Sequence, residues 1–397
     1  MTEPAPRRVV GRLLLGTLFG LGLPLACSIY DSTLLLPAPT PVIDAAVDGP
    51  PTADTSVDTG PTCPSAREPS RPSSEDGTES NVTVTFALSN VQVGAKTPTV
   101  ATQGIDLDLT CSCPGPQSCV RASSEPACDD SQGRDNALVP VLRRFSDFDL
   151  EGLFNDRLGG GSSGLLIGVT QYNGGKNDRA VQVAVYLSHG SESLRAVPDG
   201  GASSKPKLDG TDAWTVHPDS LVAGREAMAA KRTCADPETP CSPLAIDTSA
   251  YVSDGVLVAR FTNLPTESGV ALIMPTFDFS HAVLQGKIAQ QDGVYRLSEG
   301  VLSGRWPTDK VLRVLRSTTN PFTSTGICKD TAIYKTFKEA VCASADLAAA
   351  PTQDNQASPC SAVSASLGFE AIQAKLGLIF ERPSAPACPD EVDTCTP

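Results

Sequence analysis

The chain has 397 residues with 31 basic and 45 acidic side chains, a net charge of −14, and 40% hydrophobic residues. This hydrophobic share excludes a wholly disordered chain, and a mean hydropathy of −0.07 excludes a polytopic membrane protein. The acidic balance argues against a nucleic-acid partner, because phosphate binding needs a basic face. With 33 glycines and 33 prolines, a long-helix or coiled-coil protein is also excluded.

The N-terminal segment 1–26 has the pattern of an export signal. Three arginines precede the 14-residue apolar run 13–26, which is shorter than the roughly 20 residues that a membrane-spanning helix needs. The run ends at Leu25-Ala26-Cys27 and resembles the lipobox of bacterial lipoproteins, although Pro24 stands where that pattern prefers leucine. The resemblance implies cleavage before Cys27 and lipidation of its thiol, and Ser28 after it allows sorting to the outer membrane. The alternative is an ordinary secretory signal, which leaves Cys27 for a disulfide.

The number of cysteines favours lipidation. The chain has 13 cysteines, and without Cys27 an even number remains for disulfides in an oxidising compartment. These twelve candidates are Cys63, Cys111, Cys113, Cys119, Cys128, Cys234, Cys241, Cys328, Cys342, Cys360, Cys388 and Cys395.

Short spacings suggest some of the pairs. We expect Cys234 to pair with Cys241, Cys388 with Cys395, and either Cys328 or Cys342 with Cys360. The dense group 111–128 has four cysteines that could bind zinc, but it lacks the paired CxxC spacing and favours disulfides.

Residues 27–80 are predicted to be a disordered tether between the lipid and a folded body. The stretch 37–80 contains nine prolines mixed with aspartates and small residues, which cannot bury enough apolar surface to offset the entropy of ordering. Cys63 is expected to pin the end of this tether to the body.

Residues 81–397 are predicted to form one β-rich domain. Alternating and apolar patterns indicate strands at 82–88, 105–109, 164–171, 181–188 and 368–381. Asp254-Gly255 within 251–262, and Asp292-Gly293 between 287–290 and 294–297, indicate hairpin turns. Helices are predicted at 147–158, 307–316 and 329–347, while 219–231 fits either helix or strand. The predicted fold is mainly β: a disulfide-stapled β-sandwich or jelly roll with a few short helices.

No catalytic motif was found. The three histidines, His189, His217 and His281, lack the context of a catalytic base. The sequence contains no nucleophile elbow, HExxH motif, Walker loop or dinucleotide-binding fingerprint, so no enzyme activity and no cofactor is predicted.

Two D-x-D pairs are weak calcium candidates, and no metal centre is predicted. On a strand, Asp106/Asp108 or Asp147/Asp149 would place both carboxylates on one face, where they could hold Ca²⁺ or act as an acid/base pair. The alternative interpretation is a solvated polar face opposite Ile105, which the alternation itself predicts.

Short segments of the chain resemble a group of bacterial proteins. They are Arg134-Asp-Asn-Ala-Leu-Val-Pro-Val-Leu142, 153–158, 164–168, 180–187, 367–372 and the start at Ala26-Cys27-Ser28. These are similar to uncharacterised exported lipoproteins of myxobacteria and related bacteria, although Val139 stands where a glycine is common. The resemblance covers most of 27–385 and implies no site residue, because the group has no assigned activity.

The sequence therefore predicts a lipid-anchored lipoprotein of the bacterial cell envelope, in the outer membrane and facing the periplasm or the surface. Its β-rich body is expected to have a non-enzymatic binding or structural role, with a glycan or protein partner. The alternative is an envelope glycan hydrolase that uses paired carboxylates.

Overall fold

The computed structural model describes residues 66–76, 81–94, 103–110, 119–122, 129–130, 132–144, 149–194, 204–236, 241–264, 278–317, 325–381, 388 and 392–395. All of them belong to one compact unit, Asp58–Pro397. In these ranges no helix is both long enough and apolar enough to cross a membrane.

The described residues form the following strands and α-helices, in chain order. They are β1 (Val82–Gln92), α1 (Leu138–Arg143), α2 (Leu150–Gly159), β2 (Gly164–Tyr172), β3 (Asp178–Ser188), β4 (Ala213–Val216), α3 (Gly224–Ala229), β5 (Ala245–Ser253), β6 (Val256–Leu264), β7 (Phe279–Gln291), β8 (Val294–Pro307), α4 (Thr308–Arg316), α5 (Ala332–Ser344) and β9 (Ala362–Ile379).

Eight of the strands close into an antiparallel β-barrel in the order β1-β2-β3-β5-β6-β7-β8-β9. The barrel closes where β1 pairs with β9, for example Phe86 with Gln373 and Leu88 with Ala371. Strand β4 adds to the C-terminal part of β9 in parallel. The mainly β class is confirmed, but the predicted sandwich or jelly roll is wrong. The alternation of apolar and polar residues fits both a sandwich and a barrel. What distinguishes them is the pairing of β1 with β9, which are far apart in the sequence.

Successive side chains of each strand point to opposite faces of the barrel wall, so the strands contribute to two apolar clusters. On β1, Phe86 and Leu88 belong to the main apolar cluster, which also contains inward residues of the other barrel strands and of α1, α2, α4 and α5. Ala87 faces the other way, into a second cluster centred on Trp214 of β4. A small outer layer made by β4 and α3 therefore covers one side of the barrel.

The two hairpin turns are confirmed. Asp254 and Gly255 have φ values of 49° and 80°, and Asp292 and Gly293 have 53° and 80°. Positive φ at both central residues is the geometry of a type I′ turn, which matches the twist of the flanking strands. These turns set the β5–β6 and β7–β8 pairings, in which Ser253 lies opposite Val256.

The three predicted helices correspond to α2, α4 and α5, each with shorter bounds than expected. Asp149 caps α2 by accepting the N–H of Gly152, and Thr331 caps α5 by accepting that of Tyr334. The ambiguous segment 219–231 becomes a 3-10 turn, Pro218–Ser220, followed by α3.

Four disulfides lie within the described residues: Cys119–Cys360, Cys234–Cys241, Cys328–Cys388 and Cys342–Cys395. The predicted pair Cys234–Cys241 is confirmed. The expected pair Cys388–Cys395 is wrong, and so is the expected link from Cys328 or Cys342 to Cys360. The fold brings the two C-terminal cysteines beside the two ends of α5. They therefore pair with Cys328 and Cys342, which are close in space, and not with each other. Cys27, Cys63, Cys111, Cys113 and Cys128 lie outside the described residues.

Residues 66–76, which we call the strap, lie inside the predicted tether but pack on the barrel. Arg71 stacks on the ring of Tyr251 at 5.0 Å, and the Tyr251 hydroxyl donates to the carbonyl of Pro69 at 2.5 Å. Glu68 pairs with Arg260 on β6. These charged and aromatic contacts hold residues 66–76 on the barrel, so the folded body begins before the predicted boundary at residue 81.

Candidate metal centre

The predicted strand at 105–109 is wrong, and this changes the environment of the Asp106/Asp108 pair. Residues 103–110 form a loop with a left-handed turn at Leu109, whose φ is 64° and whose side chain is 63% exposed. Asp106 is only 4% exposed. The loop lies between two other segments, since Asp106 N–H donates to Ala66 of the strap and Ile105 accepts the N–H of Asp135. The expected solvated polar face is therefore a buried one.

Three carboxylates converge in this buried region. One oxygen each from Asp106, Asp108 and Asp135 lies within 4.8 Å of the other two. Asp135, which is 2% exposed, accepts the N–H of Leu107 at 2.6 Å, and Asp108 accepts that of Thr110 at 2.8 Å. Among the described residues, only long or poorly aligned contacts from the N–H groups of Leu109 and Thr110 and from Asp108 reach the buried carboxylate oxygens of Asp106. These weak contacts leave the two oxygens with lone pairs that a cation at the centre of the cluster can use.

Two further aspartates surround the three. Asp129 shares a hydrogen bond with Asp135, and its Oδ2 atom is buried without a partner among the described residues. Asp346 lies close enough to raise the pKa of Asp135, and its carboxylate is held by the N–H and hydroxyl of Ser364 at 2.7 and 2.6 Å. We refer to Asp106, Asp108, Asp129, Asp135 and Asp346 as the aspartate cluster.

Burial and mutual repulsion raise the pKa values in this cluster. Burial, followed by the charges of Asp129 and Asp106, raises the pKa of Asp108 to about 7, and burial raises that of Asp129 to about 6. Burial and the charge of Asp346 raise the pKa of Asp135 well above its usual value. Burial also raises the pKa of Asp106, against the opposing charge of Arg67. The ionised cluster therefore needs protons or a cation to compensate it.

Arg121 acts only on the edge of the cluster, where its charge opposes the burial that raises the pKa of Asp346, and Arg67 and Arg305 do not neutralise the other carboxylates. Arg67 lies 3.7 Å from Asp106 and is 41% exposed, so water screens its charge. Arg305 is buried, but its Nη1 atom pairs with Asp354 at 2.6 Å. Its Nη2 atom donates to the carbonyl of Leu107 at 2.7 Å, which anchors the loop rather than the carboxylates.

The donor set indicates which ligand fits. Carboxylate and carbonyl oxygens without histidine or cysteine suit hard cations such as Ca²⁺ and Mg²⁺. Ca²⁺ accepts six to eight oxygen ligands at about 2.3–2.6 Å in irregular geometries, whereas Mg²⁺ demands a near-ideal octahedron. The carboxylates here come from three separate segments, and such an arrangement fits Ca²⁺, whose coordination geometry is less strict than that of Mg²⁺.

Of the four aspartates predicted as calcium candidates, the structure brings two into the cluster. Asp106 and Asp108 lie in the cluster, Asp149 caps α2, and Asp147 lies outside the described residues. Sequence reasoning missed Asp129, Asp135 and Asp346. Asp135 lies in the segment Arg134–Leu142 that carries the family resemblance, and that resemblance implied no site residue. Its neighbour Asn136 donates to Gln103 and Ser366 and so ties the cluster to β9.

Comparison with protein-family models, with curated proteins and with solved structures gave no match.

Proposed function

We propose that this chain is a lipid-anchored protein of a bacterial cell envelope, whose β-barrel is a non-enzymatic binding or structural module that holds a Ca²⁺ ion in the aspartate cluster. The observation that carries the cation is Asp106, a buried carboxylate that the described residues hold only through weak contacts from Leu109, Thr110 and Asp108. An ionised group in such a place is strongly unfavourable unless a cation or proton compensates it.

The ion would join segments that are distant in the sequence. The cluster brings together the strap, the loop at 103–110, the segment at 129–136 and the start of β9. An ion that binds only the folded arrangement stabilises it by mass action, by about 2.7 kcal/mol at 100 times its Kd. Extracellular calcium modules work with Kd values of roughly 0.1–1 mM, which suits an exported protein.

The disulfides support the exported location. Disulfides persist in oxidising compartments and are rare in the cytosol. The Cys119–Cys360 bridge lies beside the cluster, because the Sγ atom of Cys119 is 3.3 Å from the carbonyl oxygen of Asp346. The lipid anchor at Cys27, the outer-membrane location and a glycan or protein partner remain parts of the proposal that rest on the sequence.

The same geometry weighs against the alternative of a glycan hydrolase. Glycosidase carboxyl groups flank a sugar at about 5–5.5 Å or 6.5–9.5 Å from each other, in a cleft that admits the substrate. Here the carboxylate oxygens lie within 4.8 Å, and Asp106 and Asp135 are 4% and 2% exposed. A sugar ring has no access to buried groups of this kind, whereas a single ion does.

Calorimetric titration of the EDTA-treated mature protein with Ca²⁺ tests the proposal. We expect one ion per chain for the wild type and a loss of binding of at least tenfold for Asp106→Asn, which removes a charge and keeps the shape. The matched control Asp156→Asn, on the exposed side of α2, should bind like the wild type. Equal Ca²⁺ binding by Asp106→Asn and the wild type, or no binding at millimolar Ca²⁺, would contradict the proposed site.

A further inference from the structure

A buried arginine at the end of α4 lacks a counter-ion among the described residues. Arg316 is the last residue of the helix and is only 5% exposed. Two nitrogen atoms of its guanidinium group, Nε and Nη1, are buried, and neither donates a hydrogen bond to a described residue. Buried polar groups in proteins are almost always hydrogen-bonded and buried charges are paired, so a guanidinium in this position needs an anion.

The sequence of α4 places Arg316 on the buried face of the helix. Thr308, Leu312 and Arg316 follow one another at a spacing of four residues, and all three are buried. Arg313, the other arginine of the last turn, is exposed. The helix dipole favours a cation at either position, but its effect is smaller than the cost of burying a guanidinium group. The dipole therefore does not compensate the charge of Arg316.

Arg316 lies beside a small apolar core between α4 and α5. Leu312, one turn earlier on the helix, packs against Ile327 and Tyr334. Burial raises the pKa of Tyr334, and so does its hydrogen bond to Asp393, whereas the charge of Arg316 opposes the increase. The guanidinium group therefore lies near this phenol, in surroundings that are poor in water.

The carboxylate at Tyr334 already has other partners. Asp393 accepts the hydroxyl of Tyr334 at 2.6 Å through Oδ2. Its Oδ1 atom accepts the ammonium group of Lys338 at 2.7 Å and the N–H of Thr394 at 2.9 Å. Lys338 thus balances the charge of Asp393, and among the described residues the charge of Arg316 stays without a counter-ion.

Two disulfides fix the segments around this arginine. Cys328–Cys388 lies before the start of α5, and Cys342–Cys395 ties the segment that carries Asp393 to the end of α5. The group reaches solvent at Lys338 and Asp393, whose side chains are 31% and 14% exposed. Since Arg316 itself is 5% exposed, only a small ligand group fits beside it.

We propose that Arg316 binds an oxyanion, the carboxylate or phosphate group of a ligand, between α4, α5 and the C-terminal segment at Asp393. The guanidinium group is planar and always charged, and its N–H groups match the oxygens of carboxylate and phosphate. The site goes beyond the calcium site proposed above. It shares no residue with the aspartate cluster and does not depend on Ca²⁺.

NMR titration of the oxidised, calcium-free protein with sodium phosphate and, separately, with sodium acetate tests the site at constant ionic strength. We expect the Nε–H signal of Arg316, identified by its absence in Arg316→Met, to shift saturably. A response to phosphate alone indicates a phosphate ligand, and a response to acetate alone indicates a carboxylate. Arg316→Lys, which keeps the charge but loses the planar group, should bind the probe at least about tenfold more weakly. The exposed Arg313 should show no saturable shift.

Thermal denaturation supplies an independent measurement. Phosphate stabilises folded proteins in general, so the variants are compared at the same probe concentration. Arg316→Met should lose the part of the stabilisation that the wild type and Arg313→Met share. Without a probe it should melt no lower than the wild type, because it removes a buried charge and keeps an apolar side chain of similar length.

Three results would overturn the proposal. The first is an Arg316 signal that neither probe shifts, which would mean that water alone satisfies the guanidinium. The second is an Arg316→Met variant that the probes stabilise as much as the wild type. The third is a large loss of stability of Arg316→Met without any probe, which would mean that the arginine has its partner within the chain.

Discussion

Raising the pH of the calcium-free protein should destabilise it through the aspartate cluster. The pKa of Asp108 is raised from 3.8 to about 7 in the folded state. The folded state therefore holds a proton on this group over a pH range in which the unfolded state has lost it. The stabilising contribution is complete below about pH 4 and disappears as the pH rises through about 7.

The magnitude follows from that shift. The folded-state pKa of Asp108, about 7, lies about two pH units above pH 5. Each of these units changes the free energy of unfolding by about 1.4 kcal/mol. Asp108 alone should therefore lower the free energy of unfolding by about 3 kcal/mol between pH 5 and pH 8. Asp129, whose pKa is about 6, adds to the effect in the same direction.

Urea denaturation at pH 5 and pH 8 measures this effect, in EDTA and in saturating Ca²⁺. In EDTA, the wild type should lose several kcal/mol over this interval, and Asp108→Asn should lose about 3 kcal/mol less. Saturating Ca²⁺ should remove most of the wild-type loss, because the ion replaces the protons. The reasoning fails if Asp108→Asn has the same pH dependence as the wild type, or if Ca²⁺ leaves the pH dependence unchanged.

Three other predictions concern the bridges, the buried arginine and the anchor. Cys119→Ser should lower the free energy of unfolding by about 5 kcal/mol, because its disulfide spans 241 residues. Cys234→Ser should lower it by only about 2.5 kcal/mol, because its disulfide spans 7 residues. Denaturation midpoints measure both losses. Arg305→Gln should lower the free energy of unfolding by about 3–5 kcal/mol, because it leaves a buried carboxylate unpaired. Lys287→Gln, which breaks an exposed ion pair, should lower it by less than about 1 kcal/mol. Similar losses for the two variants would contradict the argument from burial. Mass spectrometry of the mature protein from membranes of its native cell should find acylated Cys27 at the N-terminus; an unmodified terminus would remove the anchor.

The β class and the hairpins could be predicted because their signals are local. Alternation over β1 and the Asp-Gly pairs of the turns act within a few residues. Barrel closure could not be predicted this way, because the pairing of β1 with β9 depends on the twist and length of all the strands between them. The same limit explains the disulfides: only the short-range pair Cys234–Cys241 was predicted correctly.

The aspartate cluster was predicted in part, and for a reason that proved wrong. Asp106 and Asp108 were candidates because a strand would place them on one face, but they lie in a loop. The alternation of Ile105 with Asp106 suggested one buried and one solvated position, yet both are buried. The strap and the segment at Asp135 cover the loop from two sides, and that packing is not encoded in the period of the segment itself.

A crystal structure of the oxidised protein grown with Ca²⁺ tests the central claim most directly. We predict a single ion with anomalous signal in the aspartate cluster, bound by oxygens of Asp106, Asp108 and Asp135 at about 2.3–2.6 Å. Carboxylic acids that share protons at the same place, with no ion between them at neutral pH, would contradict the account.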